Sequence, residues 1–236
     1  MDTQTRHALK QDKFVNATNS GLEWVGDHRA NVIKFSVAVA LVIGVIVASA
    51  VVYQQRKDAA NQLFGQAMDI YQTPLANPKQ PAEPGQKTYA TAAARAQAAY
   101  PLFQQTADRY NWLRTGAMAR YFAGISELDL GKTAQAQADL EKATHSGGSN
   151  LESLAKMALA NLDEQTGHTS EAVSLFQDLI QHPTTTVPKV QAQFQLAALY
   201  ETTNPQEARR LYAQIKDQNK DTDAAQLATQ KLSALK

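Results

Sequence analysis

The chain has no cysteine. That excludes disulfides, thiol catalysis and a lipidated cysteine, so the protein is not an outer-membrane lipoprotein. It has no surplus of charge. Lys and Arg total 23 and Asp and Glu 22. Five of the basic residues (Arg6, Lys10, Lys13, Arg29, Lys34) and four of the acidic ones (Asp2, Asp12, Glu23, Asp27) lie ahead of Tyr53, so the remainder is balanced. Nucleic-acid binding calls for a basic stripe, and none is present. No HExxH pattern, glycine-rich phosphate loop or metal-ligand spacing occurs. The expectation is a non-enzyme with no catalytic, cofactor or metal site and no cofactor. The most β-like stretch, "TTTVP" at Thr184 to Pro188, reads as a loop.

What is present begins with "VIKFSVAVALVIGVIVASAVVYQQRK", Val32 to Lys57. Phe35 to Tyr53 carries no charge and as a helix would span about 28 Å, close to the hydrocarbon core of a bilayer. A helix apolar on every face has little use in a soluble protein. Lys34 at one end and Arg56 and Lys57 at the other can snorkel, and Tyr53 falls at an interface position. "ASA" at Ala48 to Ala50 resembles a signal-peptide cleavage box. The 34 residues ahead of the run are too long for a signal n-region, and Val51, Val52 and Tyr53 continue the helix past the box. The run therefore reads as an uncleaved anchor in a lipid bilayer. The Lys/Arg count favours a cytoplasmic N-terminus. In a two-membrane bacterium that predicts a single-pass inner-membrane protein with its C-terminal part in the periplasm. Ser36, Ala40, Gly44 and Ala48 recur every four residues, a small-residue face on which another membrane helix can pack.

Residues 1–34 read as a cytoplasmic leader with short amphipathic helices in "HALKQDKFV" and "LEWVGDHR". Residues 35–53 form the transmembrane helix, and 54–236 the domain beyond it. Residues 54–72 continue helically, with Ala60, Phe64, Ala67 and Tyr71 three or four apart. "TPLANPKQPAEPG" places four prolines between Pro74 and Pro84, so 73–87 is a loop. A second helix is expected over Tyr89 to Tyr110.

From there the sequence repeats. "GISELDLGKTAQAQADLEKA" (Gly124–Ala143) aligns with "ANLDEQTGHTSEAVSLFQDL" (Ala160–Leu179). Gly131 and Gly167 are 36 apart, as are Ala136 and Ala172, Leu140 and Phe176, and Ala143 and Leu179. A further step lands on Ala208, Tyr212 and Ile215. Ala99, Phe103 and Thr106 mark an earlier half unit. Small residues belong where paired helices cross, large ones between repeats, and glycine at the turns. Asn204–Pro205 stands in for glycine in the third turn. Residues 222–235 read as a capping helix.

His145, His168 and His182 have no ligand-type spacing, and the Asp139–Glu141 and Asp163–Glu164 carboxylates are expected on the exposed surface. Tyr110, Trp112, Tyr121, Phe122, Phe176, Tyr200 and Tyr212 mostly match core spacing. Trp112 and Arg114 lie at a handover between helices and, with Tyr121, are candidate contact residues for a protein partner.

The 36-residue helix pair, over about Ala117 to Ile215, resembles tetratricopeptide repeats, whose usual length is about 34. The expected fold is all-α: one N-terminal transmembrane helix followed by a tetratricopeptide-like helical solenoid. Leader, anchor, a helix continuing as "QQRKDAANQLFGQAMDIYQ" and tandem repeats, with Trp24, His28 and Arg29 before the anchor, together resemble the ancillary SecYEG translocon subunit (YfgM-like) family. The proline-rich stretch departs from that layout. The resemblance implies a membrane-anchored scaffold at the Sec translocon, with translocon subunits, exported chains or chaperones as partners. The repeats alone are equally compatible with a scaffold for cell-wall synthesis, cytochrome maturation or secretion assembly. They are also compatible with a structural subunit joined through its transmembrane helix.

Overall fold

The computed structural model describes residues 28–77, 85 and 87–235. The amphipathic helices expected in the leader lie outside the described residues, apart from His28 and Arg29. Among the described residues the structure is all-α. Its helices are α1 (Arg29–Tyr71), α2 (Ala92–Arg109), α3 (Arg114–Asp129), α4 (Thr133–Ala143), α5 (Ser149–Thr166), α6 (Thr169–Gln181), α7 (Lys189–Thr203), α8 (Pro205–Gln218) and α9 (Asp223–Ala234). The chain divides into two compact units between Gln55 and Arg56, a point inside α1.

In the first unit α1 begins at Arg29, six residues ahead of the apolar run, and takes in Lys34. It is long and apolar enough to cross a membrane, and its most apolar stretch is not buried. Phe35 is 72% exposed and Leu41 67%. A helix showing that much apolar surface on all sides is stable where lipid replaces water.

In the second unit the rest of α1 is a packing element. Ala60 and Ala67 are fully buried. Phe64 and Tyr71 join Phe103 of α2 and Phe122 of α3 in a box of four rings with centroids 5.4–5.9 Å apart. The half unit marked by Ala99 and Phe103 thus has its missing partner in α1. Between α1 and α2 the loop is pinned at its base. Ala76 N–H donates to Tyr89 O (2.8 Å) and Tyr89 N–H to Pro74 O (3.0 Å). Tyr89 was expected to open α2, but these ladder bonds hold it in a bridge with Leu75. The helix starts instead behind Thr91, whose Oγ1 accepts the Ala94 N–H at 3.0 Å.

Three antiparallel pairs follow: α3 with α4, α5 with α6 and α7 with α8, each packed on the next, with α9 covering α8. The spacing of 36 is a packing period. Ala136, Ala172 and Ala208 are fully buried, as are Leu140, Phe176 and Tyr212. Each of those large side chains contributes about 1.5–3 kcal/mol by leaving water. Gly124 lies so close to α4 that a Cβ there would stand 2.9 Å from Leu140 Cγ. The turn glycines Gly131 and Gly167 have φ of +72° and +82°, a conformation glycine adopts without steric cost. In the third turn Asn204 has an extended φ of −152°. Its Oδ1 accepts the Glu207 N–H, and Pro205 opens α8. Tyr212 donates its hydroxyl to Glu201 Oε1 at 2.6 Å, and Lys231 of α9 reaches the same oxygen at 2.9 Å. This ties the cap to the last pair.

Two carboxylates expected at the surface are buried. Asp139 sits in the seam between α3 and α4, where Arg120 (3.3 Å) and Lys142 (3.1 Å) hold it. Arg120 also pairs with Asp108 of α2, at 2.9 Å, and so links three helices. Asp163 faces the seam between α5 and its neighbours and is 7% exposed.

Candidate functional site

Three surfaces are positioned for contact. The first is the small-residue face of α1. Ser36, Ala40, Gly44 and Ala48 are all exposed, and a Cβ added at Gly44 would meet nothing within 4 Å. Four-residue steps on a helix of 3.6 residues per turn advance about 40° each, so the face winds slowly round the axis.

The second surface is at the start of α3. Trp112 is 58% exposed in the short connection after α2, and Arg114 is exposed in the first turn of α3. Tyr121 lies seven residues beyond Arg114, about 10 Å along the same face. It is half-buried, edge-on to Phe122 at 5.2 Å, and packed against Leu140, Ala158 and Leu159. Burial pushes its phenol pKa up. The structure therefore leaves Trp112 and Arg114 at the surface and places Tyr121 mainly in the seam between the first two pairs.

The third surface is an open groove of about 730 Å3 between α4 and α6, floored by α5. Glu141 stands on the α4 side and Glu171 on the α6 side. Asp163 lies in the floor, and Leu159 and Leu175 supply apolar area. Lys156 also lines the groove, but its Nζ is taken by Glu152 and Asp178, each at 2.7 Å. The Asp163 carboxylate opens onto the groove, and the His168 imidazole Nδ1 stands 3.9 Å from Oδ1. Among the described residues the buried carboxylate oxygen without a partner is instead Glu127 Oε2. Burial pushes the Asp163 pKa up, and Glu171 and Glu141 add to the rise while His168 opposes it.

The sequence reading missed this residue, although the repeat contains the signal. Each of the first two turn glycines has a carboxylate four residues ahead of it, Glu127 before Gly131 and Asp163 before Gly167. The backbone repeats as well. Lys132 N–H donates to Glu127 O at 2.8 Å, and His168 N–H to Asp163 O at 2.8 Å. The two carboxylates occupy one position of the repeat.

An acid whose pKa is raised by folding loses stability as pH climbs from its ordinary value through its folded value. Asp163 is thus a charge whose burial costs stability at neutral pH, offset only in part by His168. Asp163→Asn is expected to raise the thermal midpoint at pH 7, with the gain shrinking as pH falls toward 4. Circular dichroism melts of both proteins across that range would check it. A lower midpoint at pH 7 would mean that the carboxylate is satisfied in the fold.

Among the described residues no three His, Asp or Glu side chains are grouped to hold a metal ion. No family model matches the chain, and no curated protein matches it. A solved structure does. A crystal structure of a Podosopora anserina protein, described as a kinesin light chain with nearly identical TPR-like repeats, matches with a TM-score of 0.54 at 15% sequence identity. The match covers 74% of this chain and 84% of that one. The fold is tetratricopeptide-like. At that identity the likeness speaks for the fold alone. Stacked helix pairs of this type form long ordered surfaces.

Proposed function

We propose that the protein is a membrane-anchored scaffold that binds other proteins through its repeats. The observation that carries this reading is the exposed apolar helix from Phe35 to Tyr53 in the same chain as tetratricopeptide-like pairs. An anchor confines the binding surface to one membrane and raises its effective concentration beside any complex there. In this reading the leader is cytoplasmic, and the repeats face the periplasm of a bacterial inner membrane. The anchor pairs with another membrane helix through Ser36, Ala40, Gly44 and Ala48, while Trp112 and Arg114, with Tyr121 behind them, form a partner contact. The leader–anchor–repeat layout and its resemblance to the ancillary translocon subunits favour the Sec translocon, with exported chains or chaperones received at the repeats.

Photo-crosslinking of the full-length protein in its own membrane tests this. One probe replaces Ala40 and another replaces Arg114. Translocon subunits at the first probe and exported chains or chaperones at the second are the expected result. Capture of a cell-wall, cytochrome-maturation or secretion complex by both probes would keep the scaffold and remove the translocon. Self-crosslinks alone would make the protein a structural homo-oligomer. Gly44→Ile, which widens the small-residue face, is expected to abolish the first set and leave the second. Trp112→Ala is expected to weaken the second by about 30-fold, the usual effect of truncating an aromatic contact anchor.

A further inference from the structure

We infer that the second unit rests on the membrane surface at the turn between α2 and α3, where Arg56, Lys57 and Arg109 bind the headgroups of anionic phospholipids. The inference goes beyond the scaffold reading and rests on its anchor.

Chain length sets the level of this turn. Arg56, the first residue of the second unit, is three residues past Tyr53, where the apolar run ends. An extended chain spans at most about 3.6 Å per residue, so Arg56 lies within roughly 11 Å of that end. Inside the second unit the turn is built onto the stretch of α1 that follows Arg56. Tyr110 and Leu113 are buried with Ala60, and Ala59 and Leu63 pack beside them. Thr115 Oγ1 donates to Asn61 Oδ1 at 2.6 Å. Residues four apart share a helix face, so Arg56 lies one helical turn before Ala60, and Lys57 one before Asn61. Both cations are exposed. They stand on the side of the α2–α3 turn from which the chain enters.

Arg109 adds a third cation from another helix. It ends α2 and is exposed. The carboxylate next to it, Asp108, is held by Arg120 at 2.9 Å. Among the described residues Arg56, Lys57 and Arg109 form no ion pair. The second helices of the later pairs differ. Lys142 of α4 reaches Asp139 at 3.1 Å, His182 after α6 reaches Asp178 at 3.0 Å, and Lys216 of α8 reaches Asp217 at 3.9 Å. Unmatched positive charge therefore gathers at the turn tied by chain length to the end of the apolar run, with Asp58 as the acid beside it. Snorkelling accounts for Arg56 and Lys57 at the edge of the run, but not for a further cation supplied there by α2. The polar layer of a bilayer reaches about 5–7 Å beyond the hydrocarbon on each side, within the span of Lys and Arg side chains at this level. Anionic phosphates in that layer are the partner that the charge selects. A docked turn also holds Trp112 and Arg114 beside the membrane, where their protein partner would be met.

The test uses the full-length protein, one copy per nanodisc, in phosphatidylcholine or in an equal mixture with phosphatidylglycerol. A trace of lipid carries a nitroxide on its headgroup. The chain has no cysteine, so Asn111→Cys takes a single fluorophore in the α2–α3 turn, and Gln165→Cys takes one in the last turn of α5. Quenching is expected at the first label, stronger with phosphatidylglycerol and relieved by salt, and absent at the second. Arg109→Gln and Lys57→Gln are each expected to lower the ratio of docked to undocked protein about fivefold, the scale of one cation at an anionic surface. Equal quenching in the two lipids, equal quenching at the two labels, or undiminished quenching in both variants would overturn the inference. The discs contain no other partner protein, so those results would leave the three cations to an acidic protein surface. A protein that fails to enter the discs would remove the anchor reading and this inference together. If it enters them, and the crosslinks at Ala40 and Arg114 persist while the turn stays unquenched, the scaffold stands and the lipid contact does not.

Discussion

Phe103→Ala is expected to cost about 4 kcal/mol, the larger of the two strongest effects foreseen for single substitutions. Phe103 is fully buried at the centre of α2. Its ring stacks on Phe122 at 5.4 Å and meets Phe64 and Tyr71 at 5.8 and 5.9 Å. Truncation leaves three rings around a void, and helices of neighbouring pairs cannot collapse into it without breaking their own seams. For a domain of this size the loss corresponds to a fall of about 10 °C in thermal midpoint. Calorimetry of the full-length protein would measure it. A fall of only a degree or two would mean that the aromatic box repacks and that α1 is loosely held by α2.

Gly116→Ala is the second, at about 3 kcal/mol, although it adds one methyl group. Alanine is the better helix former, so on an exposed helix the change would be favourable. Gly116 is buried in the first turn of α3, and a Cβ there would fall on the carbonyl oxygen of Tyr110. That oxygen already accepts the Leu113 N–H at 2.9 Å in the turn that joins α2 to α3. Backbone cannot rotate aside as a side chain can, so the turn or the helix start must move. Gly44→Ala is the matched control: the added methyl meets nothing within 4 Å, and stability of the repeat unit should not change. A stable Gly116→Ala protein would show that the turn has a second arrangement.

The contrast between those two glycines shows what a single sequence makes legible. The period of 36 could be read directly, because a repeat writes its packing rule several times and each copy checks the others. That rule placed Ala136, Leu140, Ala172, Phe176, Ala208 and Tyr212 in the core, where they are. The apolar run is equally plain, since length and composition alone make its case. Gly116 appears once and follows no period, so its contact with Tyr110 emerges only in three dimensions. The bridge between Leu75 and Tyr89 escaped for a similar reason: its partners lie on either side of a proline-rich stretch that hides their pairing. Asp163 was visible at the glycine-minus-four position but was judged by residue type, as a carboxylate on a helix. Its neighbours across the seam, which decide its burial, belong to other turns of the chain.

The core is also divided. Its buried side chains fall into separate clusters, two around α1 to α3, one at the α3–α5 seam and the largest from α5 to α9, and most helices touch only the next in order. Such an array opens from its ends. Amide protons of α9 should exchange first and those of α5 and α6 last, with α7 and α8 between them. The chain would then come apart as a zipper does, each pair leaving the one before it intact.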